Sequence, residues 1–400
     1  MDTLRHRKVI FGGLNMIKQR KEKILITNAY AVNNGDMALA IALYQSLKHR
    51  GFDVSIATFY YKFLKEQYPN VSFVRELLDY KFPIGATFLK KAYLKLNYVF
   101  NTAYRSYDVY IGSPGGYMNS YYGLKKCLLP KVEAKKNGEK TAVYAQSVGP
   151  LNEKDVKLLN TYSKSIDVLV VRDDYSRKTV EATNCQSTVM QTKDAAFLLE
   201  PRTSKGKNSN VVGVSVRSWK HDNRSNRHFY DLIKSFCKKI IDQGLDIEFI
   251  STCQGVAGYV DDSEVALDIK NELVEENQLF EKRISVDTSY HTYFELIEIL
   301  NTKYRFVIGT RLHMCILSLI NGAPAFNISY EIKGKECYDY LGLSNYSVDF
   351  NAPIEQSIGR LVDFIANEAA LRNDMHDKII EAHEESHADL GRFLSEMGLH

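Results

Sequence analysis

Residues 305–336 constrain the fold more than any other part of the chain. Residues 305–308 are rich in Val and Ile and predict a β-strand, and residues 312–320 have the apolar spacing of a helix. Asn321-Gly322 is a typical helix end, and residues 325–328 predict a second strand. Parallel sheets are built from units with this order of strand, helix and strand. We therefore predict an α/β protein.

The start of this predicted helix carries charged and titratable side chains. Arg311, Leu312 and His313 follow the first strand, and a polar loop with Lys333 and Lys335 follows the second. Unpaired N–H groups at a helix start attract anions, and ligands of open α/β sheets bind at the carboxyl ends of strands. These residues predict a pocket for a small doubly anionic molecule. Side chains that only stabilise the fold are an equally good interpretation of the pattern alone.

The N-terminal half repeats the arrangement. Residues 23–28 predict the first strand and residues 37–49 a helix, with Asn33-Asn34-Gly35-Asp36 between them. An Asp at this position either caps the helix or faces a cleft, where it could act as a base.

Further segments predict strands, at residues 54–58, 108–112, 141–145, 167–171, 211–216 and 246–251. Gly115 and Gly116 follow one of these strands, and glycine lets a ligand approach the backbone closely. Arg217 follows another and places a cation at the carboxyl end of the first strand of the second half.

The length of 400 residues predicts two domains. Residues 201–210 contain no large apolar side chain and predict a linker. We predict a polar leader at 1–22, a first domain at 23–200, a second domain at 211–352 and C-terminal helices at 353–400 that cross back to the first domain.

Composition excludes several classes of function. A net charge of +4 does not indicate nucleic-acid binding. The six cysteines form no close pair, which favours reduced, buried thiols in a cytoplasmic protein. No run of eighteen apolar residues predicts a membrane span, and the basic N-terminus lacks the features of a signal peptide.

Residues 88–105 predict an amphipathic helix. Its polar face carries Lys90, Lys91, Lys95 and Arg105, with Leu94 and Tyr98 as apolar exceptions. Its apolar face contains Phe88, Leu89, Ala92, Tyr93, Leu96, Val99, Phe100, Ala103 and Tyr104. Packing of this face on its own domain is the favoured interpretation, and contact with an anionic membrane is the alternative.

Two features resemble metal sites. His383 and His387 flank two glutamates with the spacing of a zinc-peptidase helix. Because no good third ligand follows, we favour a solvated helix edge. The pairs Asp173-Asp174 and Asp261-Asp262 are interpreted as helix caps or surface charges. No metal is predicted.

Taken together, the motifs resemble the polysaccharide pyruvyltransferase family. The strongest match is Arg311-Leu312-His313 with the apolar helix, Asn321-Gly322-Ala323-Pro324, Ile328-Ser329-Tyr330 and Lys333. The other matching pieces, in order, are Asn33 to Asp36, Gly115-Gly116, Gln146 to Pro150, Val171-Arg172-Asp173, Asp194 to Phe197, and Arg217.

The resemblance implies a fold and an activity. The fold is GT-B, with two Rossmann-like domains that face each other across a cleft. The implied reaction moves pyruvate from phosphoenolpyruvate onto two hydroxyls of one sugar and leaves a cyclic ketal. The second domain would hold phosphoenolpyruvate as co-substrate, the first the sugar acceptor, and no other cofactor is implied.

The resemblance also implies roles for individual residues. Donor binding falls to Arg217, Arg311, Leu312, His313 and Lys333. Acceptor binding falls to Asn33, Asp36, Gly115 and Gly116. Of these residues, His313 would act as the acid, Asp36 as the base, and Arg217 in catalysis as well as in donor binding.

Two other functions fit the same fold. One is a glycosyltransferase that uses a nucleotide-sugar, with Glu331 on the ribose, and the other is a non-catalytic sugar-binding protein of the same pathway. For the pyruvyltransferase implied by the resemblance, a lipid-linked oligosaccharide is the expected acceptor. Peripheral contact of residues 88–105 with the inner face of the plasma membrane would suit such an acceptor.

Overall fold

Two parallel β-sheets form the framework of the computed structural model, which describes residues 21–77, 87–217 and 226–400. The predicted leader at 1–22 lies almost entirely outside these residues. The first sheet consists of β1 (Lys23–Thr27), β2 (Asp53–Thr58), β3 (Phe73–Arg75), β4 (Val109–Gly112), β5 (Gly115–Met118), β6 (Lys140–Val148), β7 (Val168–Val171) and β8 (Thr188–Gln191). The second consists of β9 (Val211–Ser215), β10 (Asp246–Phe249), β11 (Ile284–Val286), β12 (Val307–Gly309), β13 (Ala325–Ser329) and β14 (Ser347–Asp349).

Helices follow most of the strands. Those of the first half are α1 (Asn34–His49), α2 (Tyr61–Gln67), α3 (Thr87–Phe100), α4 (Leu124–Lys136), α5 (Glu153–Tyr162) and α6 (Asp174–Glu181). Those of the second half are α7 (Asn226–Asp242), α8 (Asp262–Glu276), α9 (Tyr293–Thr302), α10 (Leu312–Ile320), α11 (Ile332–Tyr340) and α12 (Ile354–Glu396).

The strand order determines where a ligand can bind. The first sheet has the order β3-β2-β1-β4-β6-β7-β8, with β5 on β6, and the second has the order β11-β10-β9-β12-β13-β14. The order reverses between β1 and β4 in the first sheet and between β9 and β12 in the second. Ligands of open α/β sheets bind at such reversals, beyond the carboxyl ends of the strands. Because β9 pairs with β12, Arg217 and Arg311 follow neighbouring strands at this point.

The carboxyl edges of the two sheets face each other. The backbone N–H of Asn34 donates to the carbonyl of Thr252 at 2.8 Å, and its side chain donates to the carbonyl of His291 at 2.7 Å. The backbone N–H of Tyr293 donates to the Tyr68 hydroxyl at 2.7 Å. These bonds connect the loop after β1 and the end of α2 to the second half, so the ligand-binding edges enclose a cleft.

The C-terminal region forms one helix of 43 residues, not the several helical segments expected from the sequence. Leu361 and Phe364 are buried near its start, and the Phe364 ring packs on Phe326 of the second sheet. Near its end, the ring of Phe393 lies 5.0 Å from that of Tyr144 in β6. The start of the helix therefore packs on the second sheet and its end on the first, and one continuous helix connects the two halves of the protein.

Three predicted loops are part of regular elements. β6 extends through Gln146 to Val148, and Gly115 and Gly116 lie in β5, where Gly115 pairs with Gln146. The predicted polar loop with Lys333 is the first turn of α11. The buried residues Cys337, Tyr338 and Leu341 fix α11 against the sheet despite its charged sequence.

Helix α3 leaves part of its predicted apolar face exposed. Leu96, Val99 and Phe100 are exposed by 56%, 45% and 77%, whereas Tyr98, assigned to the polar face, is 3% exposed. The Tyr98 ring packs against Tyr104 at 6.2 Å, and Tyr104, assigned to the apolar face, is buried. The favoured interpretation was therefore wrong for Leu96, Val99 and Phe100 and correct for Tyr104. Those of residues 87–91 and 94 lie outside the description. No described helix combines the length and apolarity needed to cross a bilayer.

Candidate active site

A cavity of about 320 Å³ lies between the carboxyl edges of the two sheets. It collects eight of the nine site residues expected from the sequence. They are Asn33, Asp36 and Gly116 from the first half and Arg217, Arg311, Leu312, His313 and Lys333 from the second. Gly115, the ninth, pairs within the sheet instead. Residues that are distant in the sequence thus share one cavity.

Three helices begin at this cavity. Asp36 lies in the first turn of α1, Leu312 and His313 in that of α10, and Lys333 in that of α11. The N–H groups of a first turn have no partner within the helix and favour an anion. The backbone therefore adds to the positive potential of the cationic side chains.

His313 lies at the boundary between the two halves of the protein. Its Nε2 is 3.5 Å from Oδ2 of Asp194, at the outer limit of a hydrogen bond. Its Nδ1 faces α1 so closely that a Cβ on Gly35 would be 2.9 Å away. Glycine is required there because the imidazole occupies the space of a side chain.

Asp194 is held in its ionised form. Its Oδ2 accepts a hydrogen bond from Nη1 of Arg172 at 2.7 Å, and both side chains are almost completely buried. Desolvation tends to raise the pKa of Asp194, but the Arg172 guanidinium and the contact with His313 outweigh it and hold the pKa well below its usual range. A fixed negative charge at this position can orient the imidazole of His313.

Asp36 faces the cavity and does not cap α1. Asn33 is the cap, because its Oδ1 accepts from the N–H of Gly35 at 2.8 Å. The capping interpretation of Asp36 is therefore wrong. Desolvation raises the pKa of Asp36 above its ordinary value, although the nearby cations, His313 first among them, act in the opposite direction. A carboxylate in this environment is a stronger base than one in water.

Arg311 is anchored from behind by a carboxylate. Its Nε and Nη2 both donate to Asp262 at 2.7 Å, and Asp262 is buried. The interpretation of Asp262 as a cap or surface charge is wrong, whereas its neighbour Asp261 does cap α8 through the N–H of Ser263. This bidentate pair fixes the direction of the guanidinium.

Two further cations converge from other elements. Nη1 of Arg217 donates to the Tyr330 hydroxyl at 2.6 Å, and its guanidinium lies 4.9 Å from the centre of that ring. Nζ of Lys333 pairs with Glu331 at 2.5 Å. A Cβ on Gly116 would be 3.4 Å from Nη2 of Arg172 and 3.9 Å from Nζ of Lys333. A glycine at 116 thus leaves the space between these cations open.

Sequence analysis assigned no role to several residues of the site. Arg172, Asp194 and Tyr330 were noted only as parts of motifs. A signal was present, because Arg172 directly follows β7 and Asp194 comes soon after β8. Their function depends on contacts with His313 and Arg217, which come from the other half of the chain and have no local signature.

The paired histidines of α12 bind backbone carbonyls. Nδ1 of His383 is 2.9 Å from the carbonyl of Phe197, and Nε2 of His387 is 3.1 Å from that of Leu198. A solvated helix edge was therefore the wrong expectation, since both side chains connect α12 to the end of the first domain. Within the described residues, no three His, Cys, Asp or Glu side chains cluster as a metal site would require.

The architecture and the cleft define a protein of the GT-B class. A glycosyltransferase from Rickettsia africae superposes with a TM-score of 0.59 at 12% identity, covering 94% of this chain and 98% of that one. A protein described as a UDP-N-acetylglucosamine 2-epimerase, from Listeria monocytogenes, gives 0.60 at 11% identity, covering 95% and 96%. At these identities the similarity concerns the fold alone.

The family follows from the sequence. Residues 33–332 match the model of the polysaccharide pyruvyl transferase family, so this chain belongs to that family. The amylovoran biosynthesis protein AmsJ of Erwinia amylovora is 28% identical over 232 residues, which is 53% of this chain and 54% of AmsJ. The match therefore spans about half the length of that curated relative.

Proposed function

We propose that this protein transfers pyruvate from phosphoenolpyruvate to two hydroxyls of one sugar in a surface polysaccharide precursor, forming a cyclic ketal and releasing phosphate. One observation carries the proposal: His313, 3.5 Å from Asp194, shares with Asp36 a cavity that is also lined by Arg217, Arg311 and Lys333. Membership of the family and the link of AmsJ to amylovoran support polysaccharide modification.

The donor carries two anionic groups, a carboxylate and a phosphate. Arg217, Arg311 and Lys333 line the cavity together, with Arg172 beside Gly116. Arginine suits either group because its planar guanidinium can form two parallel hydrogen bonds. Binding both ends of the donor fixes the enol carbon against an acceptor hydroxyl.

The first step adds a sugar hydroxyl across the double bond of the donor. The oxygen attacks the carbon that bears the phosphate, and Asp36 accepts the hydroxyl proton. His313, which lies beside Asp194, donates a proton to the methylene carbon, which becomes a methyl group. The product of this step is a tetrahedral intermediate that still carries the phosphate.

The second step closes the ring. A neighbouring hydroxyl of the same sugar attacks the same carbon and gives its proton to His313, which lost one in the first step. Phosphate is displaced and leaves with the proton that Asp36 accepted. The cations stabilise the charge on the departing phosphate, so the proposed chemistry uses no cofactor besides the co-substrate. The acceptor gains one pyruvate and loses one water.

Thermal unfolding with different ligands tests the donor. We expect phosphoenolpyruvate to raise the melting temperature and UDP or UDP-sugars to leave it unchanged. Stabilisation by nucleotides alone would favour a glycosyltransferase. The ion pair of Glu331 with Lys333 argues against the ribose-binding role considered for Glu331. Stabilisation by phosphoenolpyruvate without phosphate release in the presence of acceptor would favour a non-catalytic sugar-binding protein.

We also propose that the acceptor is lipid-linked and that α3 contacts the inner face of the plasma membrane from the cytoplasm. Leu96, Val99 and Phe100 form an exposed apolar surface, and Lys95 on the same helix is exposed. Co-sedimentation with anionic liposomes should be lost when all three apolar residues are changed to Ser. Leu279→Ser is the matched control, since Leu279 is 75% exposed elsewhere. Equal sedimentation of both variants would contradict this contact.

A further inference from the structure

A second chamber of about 360 Å³ adjoins the first. Five residues line both chambers, namely Gly116, Tyr122, Arg217, Tyr330 and Lys333. Because the two spaces share this wall, a ligand whose reacting part occupies the first chamber can continue into the second. The volume is within the range of ordinary small-molecule sites.

The two chambers differ in charge. The lining of the first includes five Lys and Arg side chains and one carboxylate, that of Asp36. The lining of the second includes the carboxylates of Asp173, Glu331 and Glu336 against two cations, Arg217 and Lys333. An anionic donor is therefore favoured in the first chamber and disfavoured in the second, which suits an uncharged ligand rich in hydroxyl groups.

Tyrosines surround the second chamber. Tyr121 and Tyr122 are exposed by 70% and 62% at its rim, Tyr175 is exposed by 38%, and Tyr330 forms part of the shared wall. Large exposed aromatic rings mark binding surfaces, because such a ring presents an apolar face and a polar hydroxyl. A sugar ring has matching features, with C–H groups on its faces and hydroxyls around its edge.

A polar atom in this lining lacks a partner. Oε2 of Glu336 is buried and has no hydrogen bond within the described residues. Burial of an acceptor without a donor is unfavourable, and a hydrogen bond from a ligand hydroxyl would relieve it. This requirement for a donor is met by a sugar and not by an anion.

We infer that the second chamber binds the sugar residue next to the one that receives pyruvate, so that the acceptor is recognised as at least a disaccharide unit. The inference rests on the proposed function, because the reacting sugar must lie beside His313 and Asp36 in the first chamber. Tyr121 and Tyr175 stack on the neighbouring ring, and Glu336 accepts a hydrogen bond from one of its hydroxyls.

Saccharide binding to the full chain, saturated with phosphoenolpyruvate, tests this inference. The probes are glucose, galactose, maltose, cellobiose and lactose, measured by saturation-transfer NMR and by titration. We expect at least one disaccharide to bind more tightly than its component monosaccharides. The double variant Tyr121→Ala/Tyr175→Ala should lose about tenfold of that affinity, and Glu336→Gln should also weaken it. Leu279→Ala, a truncation elsewhere on the surface, should not.

The possible results separate the two proposals. Disaccharides that bind no better than monosaccharides, or an affinity unchanged in both the double variant and Glu336→Gln, would overturn the second chamber as a sugar site. Stabilisation by phosphoenolpyruvate should be the same in the wild type and in the double variant, because neither tyrosine lines the first chamber. If phosphoenolpyruvate does not stabilise the wild type, the proposed donor is wrong. The saccharide comparison would still test whether the second chamber binds a sugar.

Discussion

Nε2 of His313 lies 3.5 Å from Oδ2 of Asp194, although the two residues belong to opposite sides of the cleft. The carboxylate is itself fixed by Arg172. The contact between His313 and Asp194 therefore forms only when the two halves of the protein are assembled, and the predictions below follow from this arrangement.

Replacing His313 should abolish proton donation while preserving the fold. For His313→Ala we expect transfer to fall by about 10²-fold or more, since a positioned acid contributes 10²–10⁴-fold. Initial rates of phosphate release measure the loss. His291→Ala is a matched control, because His291 is likewise 18% exposed and pairs with a carboxylate, Asp287, at 2.7 Å. Similar activities of the two variants would remove His313 from the mechanism.

Asp36→Asn should lose activity and gain stability at neutral pH. The pKa of folded Asp36 is raised, mainly by desolvation, so the folded protein binds this proton more tightly than the unfolded chain. The stability contributed by the bound proton is fully present below the ordinary value of 3.8 and is lost as pH rises through the folded pKa. Asp36→Asn should therefore be more stable than the wild type above the folded pKa of Asp36. The difference in the free energy of unfolding should vanish below the ordinary value of 3.8.

Urea unfolding of both proteins measures their free energies of unfolding between about pH 3 and about pH 8, the interval over which the raised pKa should act. The transfer rate of the wild type should rise over the same interval, because the base must be ionised to act. A variant less stable than the wild type at neutral pH would contradict the assignment of the raised pKa.

Gly35→Ala should displace the His313 side chain without replacing any ionisable group. The new Cβ would lie 2.9 Å from Nδ1 of His313, so the imidazole has to move away from its position beside Asp194. A displacement of about 1 Å can cost about 10²-fold in rate. Gly359→Ala in α12 is the control, since nothing lies within 4 Å of its Cβ position and activity should be retained. Full activity of Gly35→Ala would show that the contact is unimportant.

Two neighbouring aspartates should differ sharply in their effect on stability. Asp262→Ala leaves the buried guanidinium of Arg311 without its partner and should cost about 3–5 kcal/mol. Asp261→Ala removes a helix cap and the hydrogen bonds that Asp261 accepts from Ser263 Oγ and from the N–H of Gly255, and should cost about 1 kcal/mol. Denaturant unfolding compares the two variants. Equal losses would mean that the Arg311–Asp262 pair does not anchor the cleft.

The sequence predicted the elements that carry their own local signal. The strand, helix and strand of 305–336 have apolar periods and turn residues that reflect the local backbone. These patterns placed Arg311 and His313 correctly at a helix start. The GT-B fold was also predicted correctly, through resemblance in the order of motifs. The polar loop expected at Asn33 to Asp36 is instead the N-cap and first turn of α1.

The features that were mispredicted depend on contacts between distant parts of the chain. Helix α3 buries Tyr98 against Tyr104 and exposes Val99 and Phe100, an arrangement that the amphipathic pattern alone does not favour. The local sequence of Asp262 is that of a surface charge, because its ion-pair partner Arg311 follows β12 and is distant in the sequence. His383 and His387 resemble zinc ligands because the spacing of two histidines on a helix is the same whether they face a metal or two carbonyls.

The central claim is tested most directly by mass spectrometry of the reaction product. The purified protein is incubated with phosphoenolpyruvate and the glycan precursors of the cell that makes it, and phosphate is measured in the same sample. The account predicts a glycan heavier by one pyruvate minus one water, in equal amount to the phosphate released, and neither product with His313→Ala. A glycan that instead gains a sugar from a nucleotide-sugar, with phosphoenolpyruvate unconsumed, would contradict it.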